Sequence, residues 1–167
     1  MVFNGQSKNT MQIGAPAADF TILIGDDQFF TLFPLTKNVV LYFYPKDDTP
    51  GCTLEAKAFA DRMNEFAQHE TIIIGISRDN IASHQQFKEK YCLPFILGSD
   101  PDNKICELYG TWVEKSMFGK KYMGIERATF LIGKDGFIKN IWRNVKADGH
   151  AQDVLAAVLA LANKKSI

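Results

Sequence analysis

The chain has 167 residues, 46% of them apolar and 23% charged, with 19 Lys plus Arg against 19 Asp plus Glu. That length suits one domain with a substantial core, and the balanced charge leaves no overall field to draw it to nucleic acid or an anionic membrane. The longest apolar runs, Val39 to Tyr44 and Ile72 to Ile76, are strand-sized, and polar Met1 to Thr10 lacks a signal-peptide pattern, so a cytoplasmic location is expected.

Residues 1–11 read as a loose arm, and 12–167 as a single domain without repeats or linkers. Phe20 to Ile24 and Phe29 to Phe33 flank Gly25-Asp26-Asp27-Gln28, a hairpin pattern. Val39 to Tyr44 is a continuous apolar run, as in a strand covered on both faces. A loop, Pro45 to Gly51, leads to a helix expected from about Cys52 to His69, with Leu54, Ala58, Phe59, Met63, Phe66 and Ala67 as its apolar side. Thr71 to Ser77 is a second buried strand, so strand, helix and strand form a βαβ unit with a right-handed crossover. Ser83 is a candidate cap for the next helix, which runs to about Cys92 before Pro94. Phe95 to Leu97 reads as a short strand, and Asn103 to Tyr109 as a short helix ended by Gly110. Thr111 to Gly124 is a long loop or a hairpin. Arg127 to Ile132 and Phe137 to Trp142 pair around Lys134-Asp135-Gly136, and a last helix covers about Gln152 to Asn163. The order β-β-β-α-β-α-β-α-β-β-α predicts an α/β protein with a mixed sheet flanked by helices.

The cysteines, at positions 52, 92 and 106, are odd in number and widely spaced, unlike a secreted disulfide framework. Each is therefore either a small buried residue or a reactive thiol. The segment Tyr44 to Thr53 bears on Cys52. If Thr49 is a helix N-cap, Pro50 takes the favoured first helical position and Cys52 the third. Its sulfur would then face unpaired backbone N–H groups and the positive end of the helix dipole, both of which favour a thiolate. Local geometry alone leaves open a structural cysteine at a tight strand-to-helix turn.

The string Pro45-x-x-x-Thr49-x-x-Cys52 matches the peroxiredoxin signature, and Phe43-Tyr44-Pro45 through Cys52-Thr53, with Glu55 and Ala56, resembles the peroxiredoxin Q (bacterioferritin comigratory protein) branch. A second block agrees: Tyr109-Gly110, Trp112, Glu114-Lys115, Gly119-Lys120, Gly124 to Ile132 and Asp135-Gly136. The resemblance spans roughly residues 12 to 162. It implies a thioredoxin-like (peroxiredoxin) fold with an N-terminal β-hairpin extension, and a peroxidase that reduces hydrogen peroxide and organic hydroperoxides without metal, haem or flavin. It assigns Cys52 as the peroxidatic nucleophile that becomes a sulfenic acid. Thr49 would offer its hydroxyl to the thiolate and the peroxide, Pro45 would wall the pocket, and Arg127 would favour the thiolate and stabilise charge on the breaking O–O bond. Glu55 either positions the arginine or favours the first helical turns.

The branch often carries a resolving cysteine five residues after the first, but that position is Lys57 here. Another group resolves from the following helix, at a position near Lys88, again not cysteine. A one-cysteine mechanism is therefore expected, recycled by an external thiol such as thioredoxin, glutaredoxin or glutathione. The alternative uses Cys92 as internal resolver, while Cys106, among Ile105, Leu108 and Tyr109, reads as core. The branch default is a monomer.

His69, His84 and His150 are scattered without metal-ligand spacing, and Gly133 to Gly136 is a turn without the Ser or Thr of a phosphate loop. Trp112 and Phe118 are candidates to line the peroxide pocket or a monomer contact. A disulfide oxidoreductase would need a second cysteine where Leu54 and Glu55 stand. A slow redox sensor or binding module using the same thiolate is the non-enzymatic rival.

Overall fold

The computed structural model describes residues 11–165. Its first half contains β1 (Thr21–Gly25), β2 (Gln28–Thr31), β3 (Asn38–Phe43), α1 (Pro50–Asp61), α2 (Met63–Gln68), β4 (Thr71–Ser77) and α3 (Ile81–Tyr91). The second half contains β5 (Ile96–Ser99), α4 (Lys104–Leu108), β6 (Trp112–Met117), β7 (Lys120–Ile125), β8 (Ala128–Ile132), β9 (Ile138–Trp142) and α5 (His150–Lys165). Of the expected arm, only Met11 is described, and it packs against the core.

A seven-stranded sheet has the order β2-β1-β5-β4-β3-β8-β9. Its centre, β3, β4 and β5, is parallel, while β1 and β2 on one side and β8 and β9 on the other are antiparallel. Every residue of β3 is buried, as its unbroken apolar run predicts. Alternation divides it: Val39, Leu41 and Phe43 join one core, Val40 and Tyr42 the other. The first core packs under α4 and the N-terminal segment, with Phe20, Ile105 and Tyr109. The second lies under α1, α2, α3 and α5, through Phe59, Phe66, Phe87 and Val154. Each such side chain contributes about 1.5–3 kcal/mol by leaving water. No helix among the described residues is long and apolar enough to cross a membrane.

Several expectations need correction. The helix predicted over 52–69 breaks at Arg62, where the backbone leaves helical geometry and the Arg62 N–H turns to the Phe59 carbonyl. The buried face of α1 runs through Cys52, Glu55, Ala56 and Phe59, leaving Leu54 49% exposed. Asn80, not Ser83, caps α3, accepting the Ser83 N–H on its side chain at 2.8 Å. Of the two alternatives for 111–124, the hairpin is the one found, as the separate two-stranded sheet β6–β7.

Candidate active site

Strand β3 ends at Phe43, opposite Ala128 of β8. Arg127, immediately before β8, therefore arrives beside the loop that follows β3. This register joins two residues 75 positions apart: Arg127 Nη2 donates to Cys52 Sγ at 3.4 Å. Gly51 leaves room for this approach, since a Cβ there would lie 3.1 Å from Arg127 Nη2 and press on it. Thr49 is the N-cap residue in extended geometry, Pro50 opens the helix, and Cys52 follows in the first turn, as the sequence predicts. The Cys52 residue is only 1% exposed. The Thr49 hydroxyl donates to the Lys46 carbonyl at 2.9 Å, so in this conformation it braces the loop rather than the sulfur. Pro45 and Arg127 line an open cleft of about 480 Å³ with Val113, Lys115, Glu126 and Val145.

The other nitrogen of the guanidinium donates to Glu55 Oε1 at 2.7 Å, and Glu55 is wholly buried. A carboxylate on the core face of a helix is the feature that sequence reading left undecided. Burial raises the Glu55 pKa from 4.5 to about 7, against the pull of Arg127. Burial opposes the charge on Arg127 too, yet Glu55 and Cys52 outweigh it and raise its pKa. Behind Glu55, His150 Nε2 lies 4.0 Å from Oε2 and 2.7 Å from the Thr129 hydroxyl. Burial lowers the His150 pKa to about 4. The two groups therefore favour one proton on the carboxyl and none on the ring.

Their contributions to stability have opposite slopes. The part due to Glu55 is present below pH 4.5 and is lost as pH rises through about 7, whereas that of His150 is lost as pH falls from 6.5 through about 4. In the native chain they largely offset. Glu55→Gln removes one slope, so its stability relative to wild type should rise by up to about 3 kcal/mol from pH 4.5 to pH 8 in denaturant titrations. A pH-independent difference would refute the buried-acid assignment.

The loop itself is held from α3 at two successive residues. The buried Asp47 carboxylate accepts from the Tyr44 hydroxyl at 2.6 Å, Ser83 at 2.8 Å and His84 Nδ1 at 2.7 Å. The far nitrogen of His84 lies 3.0 Å from the Gly98 carbonyl, so the ring is fixed at both ends. Asp48, with φ +58°, accepts from Lys90 Nζ and the Tyr91 hydroxyl, each at 2.8 Å. Asp47, Asp79 and His84 bring possible ligand atoms within 4.8 Å of one another, an arrangement the scattered histidines did not suggest. The Asp47 N–H and the Ser77 hydroxyl both bond Asp79 Oδ2, at 2.8 and 2.6 Å, so the cluster is a hydrogen-bonded clasp.

The three cysteines are free. Cys106 is core, as expected, with burial pushing its thiol pKa far up. Cys92 is exposed at the end of α3 in a left-handed conformation. Neither Trp112 nor Phe118 lines the cleft: Trp112 packs under the Arg78 guanidinium at 4.9 Å, and Phe118 is 97% exposed at the β6–β7 turn. The sequence leaves Glu55 undecided and does not mark His84 as a site residue, since their partners come from distant segments.

Comparison with known proteins gives the family and the fold. The AhpC/TSA family model matches residues 13–141. A Coxiella burnetii protein classed as a Bcp peroxiredoxin is 48% identical over 147 residues, 87% of this chain and 97% of that protein. Peroxiredoxin Bcp of Bacillus subtilis is 43% identical, covering 93% of this chain and 99% of its own. Among solved structures, a Xanthomonas campestris bacterioferritin comigratory protein, described for its alkyl peroxide reduction activity, superposes with a TM-score of 0.83 at 39% identity, covering 92% of this chain and 99% of that one. The mixed sheet is thus the thioredoxin-like fold of these proteins. The chain belongs to the AhpC/TSA family, in the peroxiredoxin Q branch of thiol-dependent peroxidases.

Proposed function

We propose that Cys52 is the peroxidatic residue of this chain and that it reduces hydrogen peroxide and organic hydroperoxides. The thiolate attacks the terminal oxygen, the O–O bond breaks, Cys52 becomes a sulfenic acid, and the departing alkoxide takes a proton to leave as alcohol or water. The observation that carries this reading is the 3.4 Å contact from Arg127 to the Cys52 sulfur beside an open cleft. Arg127 stabilises both the sulfur anion and the charge leaving with the second oxygen. Pro45 walls the entry, and the Thr49 hydroxyl turns from Lys46 to the bound peroxide.

Lys57 stands where the branch often has its second thiol, so we assign a one-cysteine cycle in which thioredoxin, glutaredoxin or glutathione reduces the sulfenic acid. One observation favours a second reading. Lys90 and Tyr91, next to exposed Cys92, bond Asp48 in the same loop as Thr49, which keeps Cys92 on an element joined to the site. Intact-mass measurement after one equivalent of hydrogen peroxide separates the two. A gain of one oxygen, unchanged in Cys92→Ser, is the expected result. Loss of two hydrogens that disappears in Cys92→Ser selects the internal resolver. We further propose a cytoplasmic monomer, a reading supported for the compartment by the odd number and wide spacing of the cysteines, unlike a secreted disulfide framework.

A further inference from the structure

Lys115 differs from the other lysines of the β6–β7 hairpin. Lys120 and Lys121 are exposed, and Lys121 pairs with Glu114 at 3.6 Å. Lys115 instead lays its methylenes across Gly124 of the neighbouring strand, where a Cβ would lie 3.3 Å from Cδ and 3.6 Å from Cε. Lys115 thus runs over a residue without a side chain and lines the cleft with Pro45, Val113, Arg127 and Val145.

There the ammonium lacks a carboxylate partner among the described residues. Glu126, the acid lining the same cleft, is committed: its oxygens accept from Arg143 Nη2 at 2.7 Å and from the Asn144 N–H at 2.6 Å. Glu55 lies behind Arg127 and is committed to it. Partial burial, and then the charge of Arg127, lower the Lys115 pKa, against the opposing pull of Cys52 and Glu126. Two cations therefore line the cleft, and of the two only Arg127 is hydrogen-bonded to a carboxyl group.

We propose that Lys115 selects substrate, taking the anionic group of a carboxylate-bearing organic hydroperoxide while the O–O group lies at Cys52 and Arg127. Val113, Val145 and Pro45 cover its apolar body. This rests on the assignment of Cys52 and Arg127 above, and the chemical step is unchanged.

The test is rapid-mixing oxidation of pre-reduced protein, without recycling thiol, by cumene hydroperoxide and by its para-carboxylate analogue. The ratio of the two second-order rate constants, charged over neutral, is the readout. Lys115→Met should lower it about tenfold, the scale of one lost charge-assisted hydrogen bond. Lys115→Glu should lower it further, and Lys115→Arg should restore it. Raising salt to about 0.5 M should lower the wild-type ratio and leave that of Lys115→Met flat, which tests the proposal on unmutated protein. Lys121→Met, the same charge change on the exposed side of the hairpin, should leave the ratio intact. An unchanged ratio in Lys115→Met, or an equal loss in Lys121→Met, would overturn the proposal. Oxidation of the wild type by neither peroxide would instead remove the Cys52 assignment itself.

Discussion

Cys52→Ser protein is expected to fold normally and to consume hydrogen peroxide no faster than background, a loss on the order of 10⁴-fold or more in second-order rate. The two side chains differ by one atom, and the hydroxyl oxygen can still accept from Arg127. Buried packing against Ala56 and Tyr42 is nearly preserved, so thermal unfolding should shift little. The hydroxyl, however, is scarcely ionised at neutral pH, and its oxygen is a poor nucleophile toward a peroxide. Peroxide consumption with excess dithiothreitol, measured alongside the unfolding midpoint, decides the matter. Wild-type turnover by a folded Cys52→Ser protein would sink the assignment.

Arg127→Ala should slow Cys52 oxidation by about 10²–10³-fold, the range seen when one preorganised donor to a developing anion is removed. Fold and rate must be separated, because the arginine also answers the buried Glu55 carboxylate at 2.7 Å. A stranded buried charge costs several kcal/mol. Glu55 can escape that cost by holding a proton, since its pKa already lies near 7. The double variant Arg127→Ala with Glu55→Gln removes the stranded acid altogether. It should regain stability while oxidising as slowly as Arg127→Ala alone. Recovery of rate together with stability would make Arg127 a structural residue only. Arg127→Lys should rescue little, as one ammonium cannot bridge sulfur and carboxylate as the guanidinium fork does.

How much of this was legible in the sequence follows from where each constraint is stored. Pro45, Thr49 and Cys52 lie in one short segment, so turn and cap preferences expose their arrangement before any tertiary contact is known. Arg127 was found through the family resemblance, and its approach depends on the pairing of Phe43 with Ala128. Glu55 sat in view on the right helix, but its burial is a property of the guanidinium and of α5, neither adjacent in sequence. The clasp on Asp47 joins residues 37 positions apart, beyond any periodicity argument. The β6–β7 hairpin stayed ambiguous for another reason. Its strands are mostly exposed and lack the alternation that marks a half-buried strand. Its two-residue turn places Phe118 at φ +52° and Gly119 at +79°, where Asn-Gly would have been the readable signal.

The two grips of α3 on the loop after β3 are unequal, and that inequality gives the loop a direction in which to open. The ties to Asp48 are exposed and in water, the class of ion pair that holds weakly. Those to Asp47 are buried and multiple, and losing them would strand polar groups away from solvent. Fraying should therefore start on the Asp48 side and run toward Thr49 and the first turn of α1, with Asp47 as the fixed pivot. The part that peels is the part that carries Cys52, while the pivot keeps Pro45 and the end of β3 in place. A buried thiol can thus be uncovered for a reductant without loosening the sheet that positions Arg127.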